Sequence, residues 1–186
     1  MSNIVAIGGE PAVGKTTLMR KFFTSYTPWK QFKYKKLYGH FNEELHLVIL
    51  GVYSAGEIFS GTDKLSMAVQ PDFEEFIDKN KPNYNILFEG DRLFNLKTIK
   101  KCMQNSNLKI FIIESKHTNA RHKDRNDNQT DKFIKGRKTK VNNIKDFCNE
   151  NNLDVEIVTN DCLSDLNNNY NKILANFKWE KRNQKR

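Results

Sequence analysis

The chain has 186 residues, 38% of them hydrophobic and 28% charged, with 31 Lys and Arg against 22 Asp and Glu for a formal net charge of +9. That length suits one domain over residues 1–186 whose core needs no metal or disulfide staple; Cys102, Cys148 and Cys162 are too scattered for a disulfide framework or a zinc site. No apolar run reaches the length of a membrane span, the cysteine usage fits a reducing cytoplasm, and the positive charge favours polyanionic partners, either free nucleotides or nucleic acid.

Residues 4–7 (IVAI) read as a short buried strand and residues 17–24 (TLMRKFFT) as the start of a helix. Between them, Gly9-Glu10-Pro11-Ala12-Val13-Gly14-Lys15-Thr16 fits the phosphate-binding pattern G-x-x-x-x-G-K-[ST] without substitution. A chain of phosphates carries more charge than nearby side chains have room to meet. Backbone N–H groups must therefore curl around it, which glycines permit, and the positive end of the following helix faces the same spot. These residues with Thr17 form the expected nucleotide-binding set. Lys15 is placed to bridge the β- and γ-phosphates of ATP and the Thr16 hydroxyl to ligate Mg²⁺.

In residues 22–38 and the lysine just before them, lysines 21, 30, 33, 35 and 36 interleave with Phe22, Phe23, Tyr26, Trp29, Phe32 and Tyr34. The string fits a stacking and phosphate surface for bases. It fits better a strand that turns Phe32, Tyr34 and Leu37 inward and the lysines to water. Residues 32–40 are an extra strand or an insertion.

Residues 45–53 (LHLVILGVY) form the next buried strand, and residues 66–80 a helix interrupted or restarted at Pro71. Asp63 lies between them in the polar loop Gly61-Thr62-Asp63-Lys64, the rim position where ligands bind in a parallel sheet. The alternative role for Asp63 is a turn residue. Residues 85–88 (NILF) deliver Glu89-Gly90-Asp91-Arg92. A strand-end carboxylate opposite Thr16 is what Mg²⁺ requires, so Glu89 and Asp91 are the metal candidates. Asp91 can instead cap a helix over residues 93–103, and Arg92 can form a surface ion pair.

After a fourth strand at 108–113 (LKIFII), residues 116–140 carry nine Lys or Arg and few apolar side chains. Such a segment contributes little core and is expected to be a solvated excursion. It can also act as a lid, supplying Arg121, Arg125 or Arg137 to the transferring phosphoryl group. A helix follows within 134–148, then a fifth strand at 155–158, a helix to Phe177 capped by Asp161, and a basic tail over 178–186. The expected fold is α/β, a mostly parallel five-stranded sheet with helices on both faces.

Together these residues describe a phosphoryl-transfer site. Asn80-Lys81-Pro82-Asn83 lacks the carboxylate of a guanine reader, which disfavours a GTPase. A kinase needs a carboxylate to orient the acceptor hydroxyl and take its proton, and Asp63 is the first choice, with Asp91 and Glu89 competing. Asp63, Lys64 and Arg92 form the expected substrate-binding set. The chain resembles the small P-loop kinases of the nucleoside and nucleotide kinase type, and within them the bacteriophage kinases that phosphorylate 5-hydroxymethyluracil in DNA. The residues that carry the likeness are Ile7-Gly8-Gly9-Glu10-Pro11, Gly61-Thr62-Asp63-Lys64-Leu65-Ser66-Met67 and Glu89-Gly90-Asp91-Arg92-Leu93-Phe94. The resemblance implies ATP-dependent phosphorylation of the hydroxymethyl group of a DNA base in the host cytoplasm. The alternatives are a free nucleoside or nucleotide as acceptor, or an ATPase module that binds nucleic acid.

Overall fold

Alternation along the apolar runs sets the layers. In the computed structural model, which describes residues 3–54, 60–80, 84–124 and 130–177, strand β1 (Asn3–Gly9) turns Ile4 and Ala6 to one face and Val5 and Ile7 to the other. All four are buried, as both faces of a covered parallel sheet require. Helix α1 (Lys15–Ser25) packs Leu18, Met19 and Phe22 on the Val5 face. Strands β2 (Lys30–Tyr34) and β3 (Leu37–Asn42) follow, then β4 (Leu47–Leu50), a 3-10 turn over Thr62–Lys64 and helix α2 (Gln70–Asn80). Strand β5 (Asn85–Glu89), helix α3 (Leu96–Asn105), strand β6 (Asn107–Glu114), helices α4 (Thr118–Asp124) and α5 (Asp131–Glu150), strand β7 (Asp154–Thr159) and helix α6 (Leu163–Ala175) complete the order.

The sheet runs β2-β3-β4-β5-β1-β6-β7. Neighbouring strands from β4 to β7 pair in parallel, while β3 is antiparallel to both β2 and β4. The five expected strands are therefore present, but the sheet has seven. The two added ones form a hairpin from the stretch of interleaved lysines and aromatics. There the alternation is that of a strand: Phe32 and Tyr34 pack on the core and Leu37 is buried, while Lys30, Lys33, Lys35 and Lys36 are exposed. Helices α2, α3 and α5 cover one face through Phe73, Ile77, Ile99, Cys102, Val141 and Ile144, and α1 and α6 cover the other.

Several boundaries differ from the sequence reading. Helix α2 begins at Gln70 rather than 66, with Pro71 in its first turn, where a missing N–H is harmless. Asn95, not Asp91, caps α3, its side chain accepting from Thr98 N at 3.0 Å. Asp161 caps nothing: its carboxylate accepts from Ser115 Oγ and Lys116 N, and Cys162 occupies the cap of α6 with Asp165 closing the box. The segment expected as a solvated excursion is largely helical. It contains α4 and the first half of α5, whose later residues Val141, Ile144 and Cys148 reach the core and anchor the exposed turns before them. No helix among the described residues is long and apolar enough to cross a membrane.

Candidate functional site

The chain crosses from one side of β1 to the other, placing β5 on one flank and β6 on the other. That arrangement opens a crevice at the carboxyl ends of these strands. A cleft of about 570 Å³ lies there, lined by loops from three strand ends and by the start of α5.

The first wall is the glycine-rich loop. Gly14, the N-cap of α1, has φ 93°, and a Cβ there would sit 2.3 Å from Asn160 Nδ2. That amide donates to Val13 O at 2.8 Å from the β7–α6 turn, so the loop is braced from behind by a buried side chain. Arg121 adds a second brace, donating to Ala12 O at 3.3 Å and to Asn160 O at 2.9 Å. Lys15 folds over the loop's front, its Nζ donating to Gly9 O at 2.9 Å and Glu10 O at 2.8 Å. Thr17 is exposed on α1, and Glu10 and Val13 line a separate cavity of about 310 Å³ behind the loop.

The second wall is the end of β5. Glu89 is 2% exposed, and its Oε1 faces Thr16 Oγ1 and Tyr53 OH, both at 3.4 Å. Thr62 Oγ1 donates to Glu89 O at 2.6 Å, tying the Asp63 turn to the same strand end. Burial pushes the Glu89 carboxyl up to about 7, reinforced by Asp63 and opposed by Lys15. Burial likewise raises the Tyr53 phenol well above its ordinary value.

Asp63 opens on the cleft and takes the Arg92 N–H on Oδ1 at 3.3 Å. Its carboxyl is raised by desolvation and then by the neighbouring Asp91 charge, with Lys15 pulling the other way. A carboxylate made more basic and left open to a cleft is suited to take a proton.

The third wall is α5. Arg137 Nε meets Asp91 Oδ2 at 2.8 Å, and Lys140 Nζ donates to Asp91 O at 2.7 Å while lying 3.5 Å from Oδ1. Asp91 therefore serves as the anchor of α5. Burial lowers the Lys140 amine, and Asp91 opposes that shift. Arg92 makes no carboxylate ion pair among the described residues: its guanidinium donates to Asp63 O at 3.4 Å and lies against Met67 Sδ, while Nε is buried without a partner.

Of the residues expected from the sequence, the cleft gathers Gly9, Pro11, Ala12, Lys15, Thr16, Asp63, Glu89, Asp91, Arg92 and Arg137. It does not gather Lys64, which is exposed beside it, or Arg121, which braces the loop from behind. Arg125 lies outside the described residues, as do residues 81–83 and the basic tail. Sequence reasoning missed Tyr53, Thr62, Asn160, Gln70, Asn95 and Phe133. Asn160 carried a signal, since it directly follows the fifth strand at the same rim; Phe133 carried a weaker one, as an isolated aromatic in a basic run.

No group of three or more His, Cys, Asp or Glu side chains among the described residues forms a metal cage. The pairing of a threonine hydroxyl with one buried carboxylate fits Mg²⁺, which is commonly held by one or two protein oxygens together with phosphates and water. Compared with known proteins, the chain matches no family model and no curated relative.

Proposed function

We propose that the protein is an ATP-dependent kinase of the P-loop type, acting on the hydroxymethyl group of 5-hydroxymethyluracil in DNA. The observation that carries the reading is the convergence of Lys15, Thr16, Glu89 and Asp63 on one cleft beside a braced glycine-rich loop. Neutral pockets for apolar ligands do not need two carboxylates and a loop-borne lysine in the same crevice. A phosphoryl-transfer site does.

In this reading the backbone of residues 9–16 cradles the phosphates, and Lys15 leaves the carbonyls of Gly9 and Glu10 for the phosphate oxygens. Thr16 and Glu89 would hold Mg²⁺, which supplies charge neutralisation on those oxygens. Asp63 orients the acceptor hydroxyl and takes its proton as the oxygen bonds to the γ-phosphorus. The bond from that phosphorus to the β–γ bridging oxygen breaks, and ADP leaves. Arg137 stands at the same cleft, its charge balanced by Asp91 until phosphate arrives.

The acceptor rests on the resemblance carried by residues 61–67 and 89–94 and on the charge of +9, which suits a DNA backbone. Label transfer from γ-labelled ATP tests it, with hydroxymethyluracil DNA, ordinary DNA, free nucleosides and nucleoside monophosphates offered separately. Label is expected in the hydroxymethylated DNA alone. Label in a small acceptor would replace the DNA reading with a nucleoside or nucleotide kinase, and phosphate release with no labelled acceptor would refute the kinase.

A further inference from the structure

Beyond the phosphate end, the cleft has a second half whose composition is different. Met67 is 81% exposed and Phe133 38% exposed, two of the few large hydrophobic side chains on the described surface, and both line this one cavity with Val69. Exposed apolar groups that line one cleft lose water when something flat and apolar enters it. Phe133 sits in the first turn of α5, where Thr130 caps the helix by accepting from its N–H. The Arg137 guanidinium lies 4.4 Å from the ring centroid and is itself held by Asp91, so the ring has a cationic partner before any ligand arrives.

The polar groups beside it form an amide pair. Gln70 Oε1 accepts from Asn95 Nδ2 at 3.2 Å and from Thr98 Oγ1 at 3.1 Å, and Gln70 Nε2 donates to Glu74 at 3.1 Å. Asn95 donates its other N–H to Arg92 O and accepts from Thr98 N. Counting donors and acceptors leaves one Gln70 N–H and one lone pair on Asn95 Oδ1. Both residues line the cleft. A donor beside an acceptor complements the C=O and N–H edge of an imide such as uracil or thymine.

We infer that Phe133 and Met67, with the Gln70–Asn95 amide pair, form a subsite that stacks and reads a planar imide base. This deepens the kinase reading and rests on it for the reaction, but the subsite makes a claim about binding alone. The ring chemistry is the same in a free nucleoside and in an unpaired DNA base, and the experiment separates the two sources.

Binding of thymidine, of cytidine as the amino-pyrimidine comparison, and of a single-stranded oligonucleotide containing one thymine among adenines, is measured by calorimetry without ATP. Wild type is compared with Phe133→Ala, Phe133→Trp and Gln70→Glu, and a fluorescent ATP analogue is titrated into each to establish an intact fold. Stacking of a base on an aromatic ring corresponds to roughly a five- to hundred-fold change in dissociation constant. Phe133→Ala is expected to weaken at least one pyrimidine probe by that factor with ATP analogue binding unchanged. Phe133→Trp should retain binding, and Gln70→Glu should weaken thymidine more than cytidine. The probe with the larger loss identifies the source, free nucleoside or strand. Equal pyrimidine affinity in wild type and Phe133→Ala, or no pyrimidine binding by a wild type that binds the ATP analogue, overturns the subsite. Phe133-dependent binding without label transfer in the kinase assay would refute the reaction and leave the subsite standing.

Discussion

Replacing Glu89 by Gln should change how stability depends on pH. The carboxyl is 2% exposed and raised from an ordinary 4.5 to about 7. The folded protein therefore holds this proton more tightly than the unfolded chain does. Its contribution is most favourable below 4.5 and is lost as pH rises through the interval up to about 7, where ionisation must occur inside the fold. At 1.36 kcal/mol per tenfold change in proton affinity, the full penalty is roughly 3 kcal/mol, most of which develops between pH 5 and pH 8. Glutamine is nearly isosteric, can accept from Thr16 and Tyr53, and does not titrate. Urea unfolding of both proteins at pH 5, 6, 7 and 8 should show the variant gaining on wild type by about 2–3 kcal/mol across the series, a midpoint difference on the order of 1 M. Titrations common to both proteins cancel in the difference. Curves that stay parallel within about 0.5 kcal/mol would refute the claim that the Glu89 site is desolvated.

Other expectations follow from the same contacts. Asp63→Asn should lower turnover on the order of a hundredfold or more while leaving ATP affinity near wild type, measured by steady-state kinetics and nucleotide titration. Asn160→Ala removes the brace on Val13 O and should cost about 1–2 kcal/mol in thermal or urea unfolding, with weaker ATP binding. Asp91→Ala unties Arg137 from the β5–α3 turn and leaves Lys140 only its bond to the Asp91 carbonyl; the Asp91–Arg137 pair is about a third exposed, so stability should fall by only about 1 kcal/mol, while tryptic cleavage within residues 132–138 should accelerate. Gly136→Ala places a methyl where nothing lies within 4 Å and should raise stability by about 0.5–1 kcal/mol.

The parallel strands and the glycine-rich loop were legible because their signals are local: continuous apolar runs for β1, β4, β5 and β6, a short apolar stretch broken by Glu156 for β7, and an unbroken sequence pattern at residues 9–16. The hairpin β2–β3 was legible only as the better of two meanings, since alternating lysine and aromatic residues also serve a nucleic-acid surface. Helix α5 was misjudged at its start. Its buried positions, Val141, Ile144 and Cys148, all fall in the second half, so the first ten residues show no apolar stripe of their own. The cap of α3 was misplaced for a related reason. Gly90 turns the chain through residues 91–94 before the helix begins, and only the turn's three-dimensional course shows that Asn95 meets Thr98 N. Phe133 reaches the cleft, and Tyr53 the Glu89 carboxyl, through folding across long sequence distances, which no spacing rule records.

Helix α5 is rooted at one end and open at the other. At 1.5 Å per residue its 20 residues span about 30 Å. The half from Val141 onward is clamped in the core, while the half bearing Phe133 and Arg137 stands over the cleft, stayed by Asp91. Mechanically this is a cantilever with a guy-wire. A tilt of a few degrees about the point where burial begins would move Phe133 by an ångström or so, and loss of the Asp91 tie would soften the beam without loosening its root.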